Sequence, residues 1–220
     1  MASNPDNPWL DPAVAAYCDM HSSTPDEILR ELVTETAAAT GRRAVMQISA
    51  GQGVLLQQLA RGARFAVEVG TFTGYSSICL ARGMGAGGRL LCCDVSEEWT
   101  AIARRYWARA GLSDRIELRV GPALETLRSL PAGQLVDLAF IDADKHNYQA
   151  YFDELFPRLR IGGLILVDNT LWYRKVLEPA VDGDVDTAAL QAFNDTLAVD
   201  PRVDVVLLPI SDGLTVVQKR

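Results

Sequence analysis

Only two histidines occur in this 220-residue chain, His21 and His146, and their separation gives little support to a histidine-built metal or catalytic cluster. His146 is accordingly assigned to the surface. Cysteine is also scarce: Cys18, Cys79, Cys92 and Cys93 form no CxxC pair, which leaves too few soft ligands for structural zinc. The adjacent Cys92 and Cys93 lie in an apolar run and read as small buried hydrophobes of a reducing compartment. Positive charge is in deficit, with 21 Lys and Arg against 28 Asp and Glu for a formal net charge of −7. Phosphate-rich partners need the opposite balance, so nucleic acid is excluded as a partner. No apolar run is long enough to span a bilayer. The opening "MASNPDNPWLDP" has prolines and acids where a secretory leader has a basic start and a hydrophobic stretch. These absences predict a cytoplasmic protein without a membrane partner. There is no low-complexity tract, internal repeat or interdomain linker, and 49% hydrophobic with 22% charged residues is a globular composition. The length predicts a single domain over residues 1–220, with a helical extension over about 1–45.

What is present is a strongly patterned chain. "STPDEILRELVTETAAATG" predicts a helix over 24–40, with Thr24 as cap, Pro25 in the first turn, Glu27 completing a capping box and Gly41 as the stop. From Phe65 onward, short β-rich runs alternate with amphipathic segments of helix length, the pattern of parallel βαβ units in an α/β protein. The runs are "FAVEVG", "RLLCCDV", "RIELRVG", "LVDLAFIDAD" and "GGLILVDN". Helices are predicted between them, around 75–82, 96–110, 123–130 and 147–159, covering both faces of the sheet. "VDVVLLPI", "SDG" and "LTVVQKR" predict a closing hairpin with a tight turn at Asp212-Gly213, hence at least one antiparallel strand. The long connection from Thr170 to Asp186, containing Pro179 and Gly183, is the candidate substrate lid.

Three stretches carry chemistry. "EVGTFTGYSS", Glu68 to Ser77, follows a strand and opens a helix, so its glycines let the backbone approach a ligand. Its GxxxG spacing is neither a dinucleotide fingerprint nor a P-loop, and Glu68 would repel a phosphate while tolerating an amino group or sulfonium. Asp94 ends the next strand at a distance suited to ribose hydroxyls. Together they predict an adenosine cofactor with positive charge; the competing reading is a plain βα turn with Asp94 capping a helix. "LAFIDADKHNY" and "LILVDNTLW" both end a buried run in polar residues. Ligands of open α/β sheets bind beyond the carboxyl ends of strands, where Asp142, Asp168 and Asn169 would offer a divalent cation such as Mg²⁺ three hard oxygens. Lys145, three residues after Asp142, is the candidate general base. A solvated turn is the alternative for Asp144 and Lys145. Trp172 and Tyr173 are candidates for an aromatic wall against a substrate.

In this order, "EVGTFTGYSS", Asp94, "RVGPALETL", "FIDADKHNY" and "LVDNTLW" resemble the cation-dependent S-adenosylmethionine O-methyltransferases of the caffeoyl-CoA and catechol type, across residues 46–217. The resemblance implies a Rossmann-like class I methyltransferase fold: a seven-stranded, mostly parallel sheet with an antiparallel C-terminal hairpin strand. It implies S-adenosylmethionine bound by Met46, Glu68, Gly70, Thr71, Ser76, Asp94, Pro122, Ala123 and Asp142. Asp142, Asp168 and Asn169 then hold Mg²⁺ or another divalent cation, Lys145 is the catalytic lysine, and the chain is a homodimer. The implied substrate is a small catechol, with a caffeoyl-CoA-like thioester or a flavonoid as the alternative. A non-catalytic adenosine-ligand binding protein and a nicotinamide oxidoreductase are the rival classes.

Overall fold

The computed structural model describes residues 11–220, and the reading of the first ten residues as leaderless lies outside them. Seven strands form one sheet: β1 (Phe65–Val69), β2 (Arg89–Asp94), β3 (Ile116–Val120), β4 (Val136–Ile141), β5 (Leu159–Val167), β6 (Val203–Leu208) and β7 (Leu214–Lys219). Their order is β3-β2-β1-β4-β5-β7-β6. The first five strands run parallel, and β7 is antiparallel to both β5 and β6. The helices are α1 (Pro12–Met20), α2 (Glu27–Thr40), α3 (Ala50–Leu59), α4 (Tyr75–Met84), α5 (Glu97–Arg109), α6 (Ala123–Ser129), α7 (Tyr148–Leu155) and α8 (Val185–Val199).

Side chains alternate across a strand, so each central strand feeds two cores. Ala66, Leu90, Cys92, Leu138 and Phe140 meet Leu32 of α2, Leu56 of α3, Ile78 of α4 and Trp107 of α5 on one face. Val67, Val69, Cys93, Ala139, Ile141 and Val167 meet Leu127 of α6, Phe152 of α7 and Phe193 of α8 on the other. Both faces are therefore covered, as the unbroken apolar runs predict for a buried parallel sheet.

Four local expectations change. Asp26, not Thr24, caps α2: its Oδ1 accepts the Leu29 N–H at 3.0 Å, so Pro25 falls before the helix. The predicted helix over 147–159 ends at Leu155, because Pro157 cannot continue the helical ladder; a 3₁₀ turn, Phe156–Arg158, leads directly into β5 at Leu159. The closing hairpin has no two-residue turn. Pro209 to Gly213 separate β6 from β7, and the turn's backbone is committed to the segment after β5: Thr170 N–H donates to the Gly213 carbonyl (3.0 Å) and Leu171 N–H to the Asp212 carbonyl (2.9 Å). The predicted long connection carries the 3₁₀ segment Trp172–Leu177 and ends where α8 begins.

Candidate functional site

Strand order reverses between β1 and β4: the chain walks from β1 outward to β3, then returns to the other side of β1. Such a reversal opens a crevice at the carboxyl ends of the two strands. Register then fixes what lines it. Val69 pairs with Ile141 and Ile141 with Val167, so Gly70, Asp142 and Asp168 emerge side by side. The crossing bonds continue one residue further, from Asp142 N–H to the Val69 carbonyl (2.8 Å) and from Asp168 N–H to the Ile141 carbonyl (2.9 Å).

Gly70 shows why this junction needs glycine. Its φ is +92°, and a Cβ there would stand 1.9 Å from the Asp142 carbonyl oxygen. Gly74, with φ of +90°, starts α4 in the left-handed region, and a Cβ there would meet the Ala103 Cβ at 2.7 Å. Asp94 holds the loop between them: Oδ2 accepts from the N–H of Thr71 (2.9 Å) and Phe72 (2.8 Å), while Oδ1 accepts from Ser96 N–H (2.8 Å). The helix that follows is capped by Ser96 itself, not Asp94. A carboxylate has about four acceptor sites, so three backbone donors leave room for one more hydrogen bond.

A cavity of about 700 Å³ fills the crevice. On its cofactor side the predicted Met46, Gly70, Thr71, Ser76, Asp94, Pro122, Ala123 and Asp142 all line it. Glu68 does not. It lies fully buried beneath the loop, where Oε2 accepts from Ser77 Oγ (2.5 Å) and Cys92 Sγ (3.2 Å), and Oε1 has no protein partner. Burial pushes its carboxyl up to about 7, against the downward pull of hydroxyl and thiol donors.

At the other side the cavity is lined by Asp142, Lys145, Asp168, Asn169, Trp172 and Tyr173. Lys145 is only 7% exposed, its Nζ 3.1 Å from Asp142 Oδ1 and 5.0 and 5.6 Å from the ring centres of Tyr148 and Trp172. The solvated-turn reading thus fails for Lys145. Asp144 is exposed but also lines the cavity, bound by Tyr151 Oη (2.5 Å) and by Asn147. His146 is exposed as expected, between Asp144 and Asp186. Asp168 is 3% exposed; Oδ1 accepts the Asn169 N–H at 2.8 Å, with Asn169 at a φ of +56°. Burial and then the charge of Asp142 raise the Asp168 carboxyl well above its ordinary range, opposed by the Gln52 amide, the Asn169 N–H and Lys145.

A buried carboxyl, Asp168, and a half-buried one, Asp142, that repel one another call for positive charge beyond one lysine. Among the described residues no group of three or more His, Cys, Asp or Glu is gathered as a metal cage. A cation here would rest on two carboxylates and the Asn169 amide oxygen, a hard set suited to an ion that keeps water or substrate oxygens in its shell. The residues fit such an ion.

Gln52 and Asp212 were not legible as site residues. Gln52 is 1% exposed and lines the cavity, with its amide beside the Asp168 carboxyl. It sits on α3, whose "AGQG" start is poor helix former; Gly53 is required because a Cβ would lie 2.8 Å from Tyr75 Cε1. Asp212 is 7% exposed, and burial raises its carboxyl. The "SDG" that contains it carries a turn signal that masks any other role.

The sequence model of a family described as O-methyltransferase matches residues 19–220. A "Probable caffeoyl-CoA O-methyltransferase 2" of Dictyostelium discoideum is 36% identical over 212 residues, spanning 94% of this chain and 91% of that protein. Among solved structures, the O-methyltransferase from Bacillus cereus in complex with SAH has a TM-score of 0.85 at 34% identity, covering 94% of this chain and 97% of that one. The O-methyltransferase TomG from Streptomyces achromogenes, involved in tomaymycin synthesis and solved with SAM, has a TM-score of 0.86 at 29% identity and covers 100% and 99%.

Proposed function

The chain belongs to the O-methyltransferase family, and from that premise we propose that it moves a methyl group from S-adenosylmethionine to one hydroxyl of a catechol-type small molecule in a reaction dependent on Mg²⁺ or another divalent cation. One observation carries the reading: Asp142, Asp168 and Lys145 meet at adjoining strand ends in the same cavity as the glycine loop.

The cofactor, when bound, supplies an electrophilic methyl whose carbon–sulfur bond breaks as the new carbon–oxygen bond forms. Gly70, Thr71, Ser76, Asp94, Pro122 and Ala123 hold it by the open backbone of the loop, and Asp94 keeps one acceptor site for a ribose hydroxyl. The ionised form of Glu68, with Oε1 unpaired beneath the loop, favours a cationic group above it. A divalent cation held by Asp142, Asp168 and Asn169 would supply positive charge that eases ionisation of a nearby phenol. Lys145, as the free amine, takes the hydroxyl proton at Nζ, which lies 3.1 Å from Asp142 Oδ1. Trp172 roofs Lys145 and limits water there. Alignment of the two reactants within one cavity is the largest contribution asked of the protein, on the order of 7 kcal/mol or more.

A caffeoyl-CoA-like thioester or a flavonoid is the second reading of the acceptor, the thioester favoured by the name of the Dictyostelium relative. The same proposal places the protein in the cytoplasm as a homodimer; among the described residues no helix is long and apolar enough to cross a membrane. The test is product analysis with free catechols, a catechol-bearing thioester and a flavonoid as acceptors, for wild type and Lys145→Ala. Monomethylated catechol from the wild type, and a loss of about 100-fold or more in kcat/KM for Lys145→Ala, are expected. Undiminished turnover by Lys145→Ala would remove the base assignment, and turnover of the thioester alone would move the acceptor to the second reading.

A further inference from the structure

The segment after the candidate metal ligands is wound against the preference of its own residues. Asn169, Trp172, Tyr173 and Arg174 have φ of +56°, +46°, +51° and +66°, and none of the four is glycine. Runs of left-handed non-glycine residues persist only where surrounding structure holds them.

The holding structure comes from forty residues further along the chain. Asp212 Oδ1 accepts the Tyr173 N–H at 2.7 Å, in the middle of the left-handed run. The Asp212 carbonyl takes the Leu171 N–H at 2.9 Å and the Gly213 carbonyl takes the Thr170 N–H at 3.0 Å. Thr215 Oγ1 bonds Thr170 Oγ1 at 2.9 Å behind them. Gly213 has φ of +92°, and a Cβ there would reach the Leu171 nitrogen at 2.6 Å. The β6–β7 turn is thus pressed against the chain at contact distance, and Asp212 supplies its one side-chain bond to Tyr173.

What this segment presents is Trp172, whose ring lies over Lys145. Asp212 is 7% exposed, lines the same cavity and faces the charges of Lys145 and Asp142. We propose that Asp212 is a positioning residue for methyl transfer: through its bond to the Tyr173 N–H it keeps the 169–174 turn in its left-handed form and so holds Trp172 over Lys145 on the acceptor side of the cavity. The carboxylate acts as a hydrogen-bond acceptor to the backbone, not as a charge toward the substrate. This rests on the catechol methyltransferase reading given above.

The test compares Asp212→Asn, which keeps an acceptor oxygen for Tyr173, with Asp212→Ala, which does not. For each variant, SAH affinity is measured by calorimetry, acceptor KM and kcat by product formation, and tryptophan exposure by acrylamide quenching. Asp212→Ala is expected to raise acceptor KM about tenfold and to increase quenching, while SAH affinity stays at the wild-type level; Asp212→Asn restores both readouts. Equal losses in Asp212→Asn and Asp212→Ala, or an unchanged acceptor KM in Asp212→Ala, would overturn the proposal. Should Asp212→Ala not fold, Asp212→Asn decides alone: acceptor KM near wild type supports the backbone role, and a raised KM with intact SAH binding refutes it. A wild type that methylates no catechol defeats the functional reading instead, and quenching still reports on the clamp.

Discussion

At the scale of the residue, Glu68 is a carboxyl that burial drives toward its neutral form. Its carboxyl is raised from 4.5 to about 7, so its neutral form is the one the fold favours. The contribution is fully present below the unfolded value and is lost as pH rises through about 7. Glu68→Gln mimics the neutral form, so the melting temperature of the wild type without cofactor should fall relative to Glu68→Gln as pH goes from 5 to 8. Parallel melting curves across that range would show that burial does not control this group. The acid was legible in "EVGTFTGYSS" as a residue of the cofactor loop, but its depth was not. Sequence shows that Glu68 precedes a glycine turn; only the β1–β2 register, which sets it against Cys92, puts it under the loop. Asp94 was legible by type and place as well, yet its three backbone donors depend on how the loop folds back.

Elements were read well where their signals are local. The five parallel strands announce themselves as apolar runs, and α5 starts at the predicted Ser96. Ends that depend on competition between neighbours were harder. Thr24 and Asp26 both offer an oxygen at the start of α2, and Asp26 wins because it stands three residues before Leu29 and also pairs with Arg82 at 2.7 Å. Asp26→Ala should cost about 1 kcal/mol in denaturant unfolding, nearly all from the lost cap, since the Arg82 pair is half exposed on the Asp26 side. The matching Arg82→Ala should cost a few tenths of a kcal/mol at most; equal costs for both would assign the effect to the ion pair. Pro157 was available to end α7, but the amphipathic pattern runs past it as far as Leu159. Helix α3 was hidden by its glycines, of which Gly53 serves the packing against α4.

For the whole molecule, the site follows from topology. Reversal of strand order at β1 and β4 opens the crevice, and parallel register sets Gly70, Asp142 and Asp168 at one level within it. That convergence was foreseeable from two strands that end alike in acids. The contribution of the β6–β7 turn was not, because Asp212 meets Tyr173 across 39 residues of chain and carries no periodic signal. The central claim is that the paired carboxylates and Asn169 hold a cation needed for transfer to a vicinal diol. Its most direct measurement is methyl transfer from labelled S-adenosylmethionine to catechol before chelation, after exhaustive chelation, and after Mg²⁺ is returned. Loss of transfer on chelation and recovery with Mg²⁺ is predicted for the wild type, with no recovery in Asp168→Ala. Transfer that continues at the starting rate in the chelated protein would contradict the account.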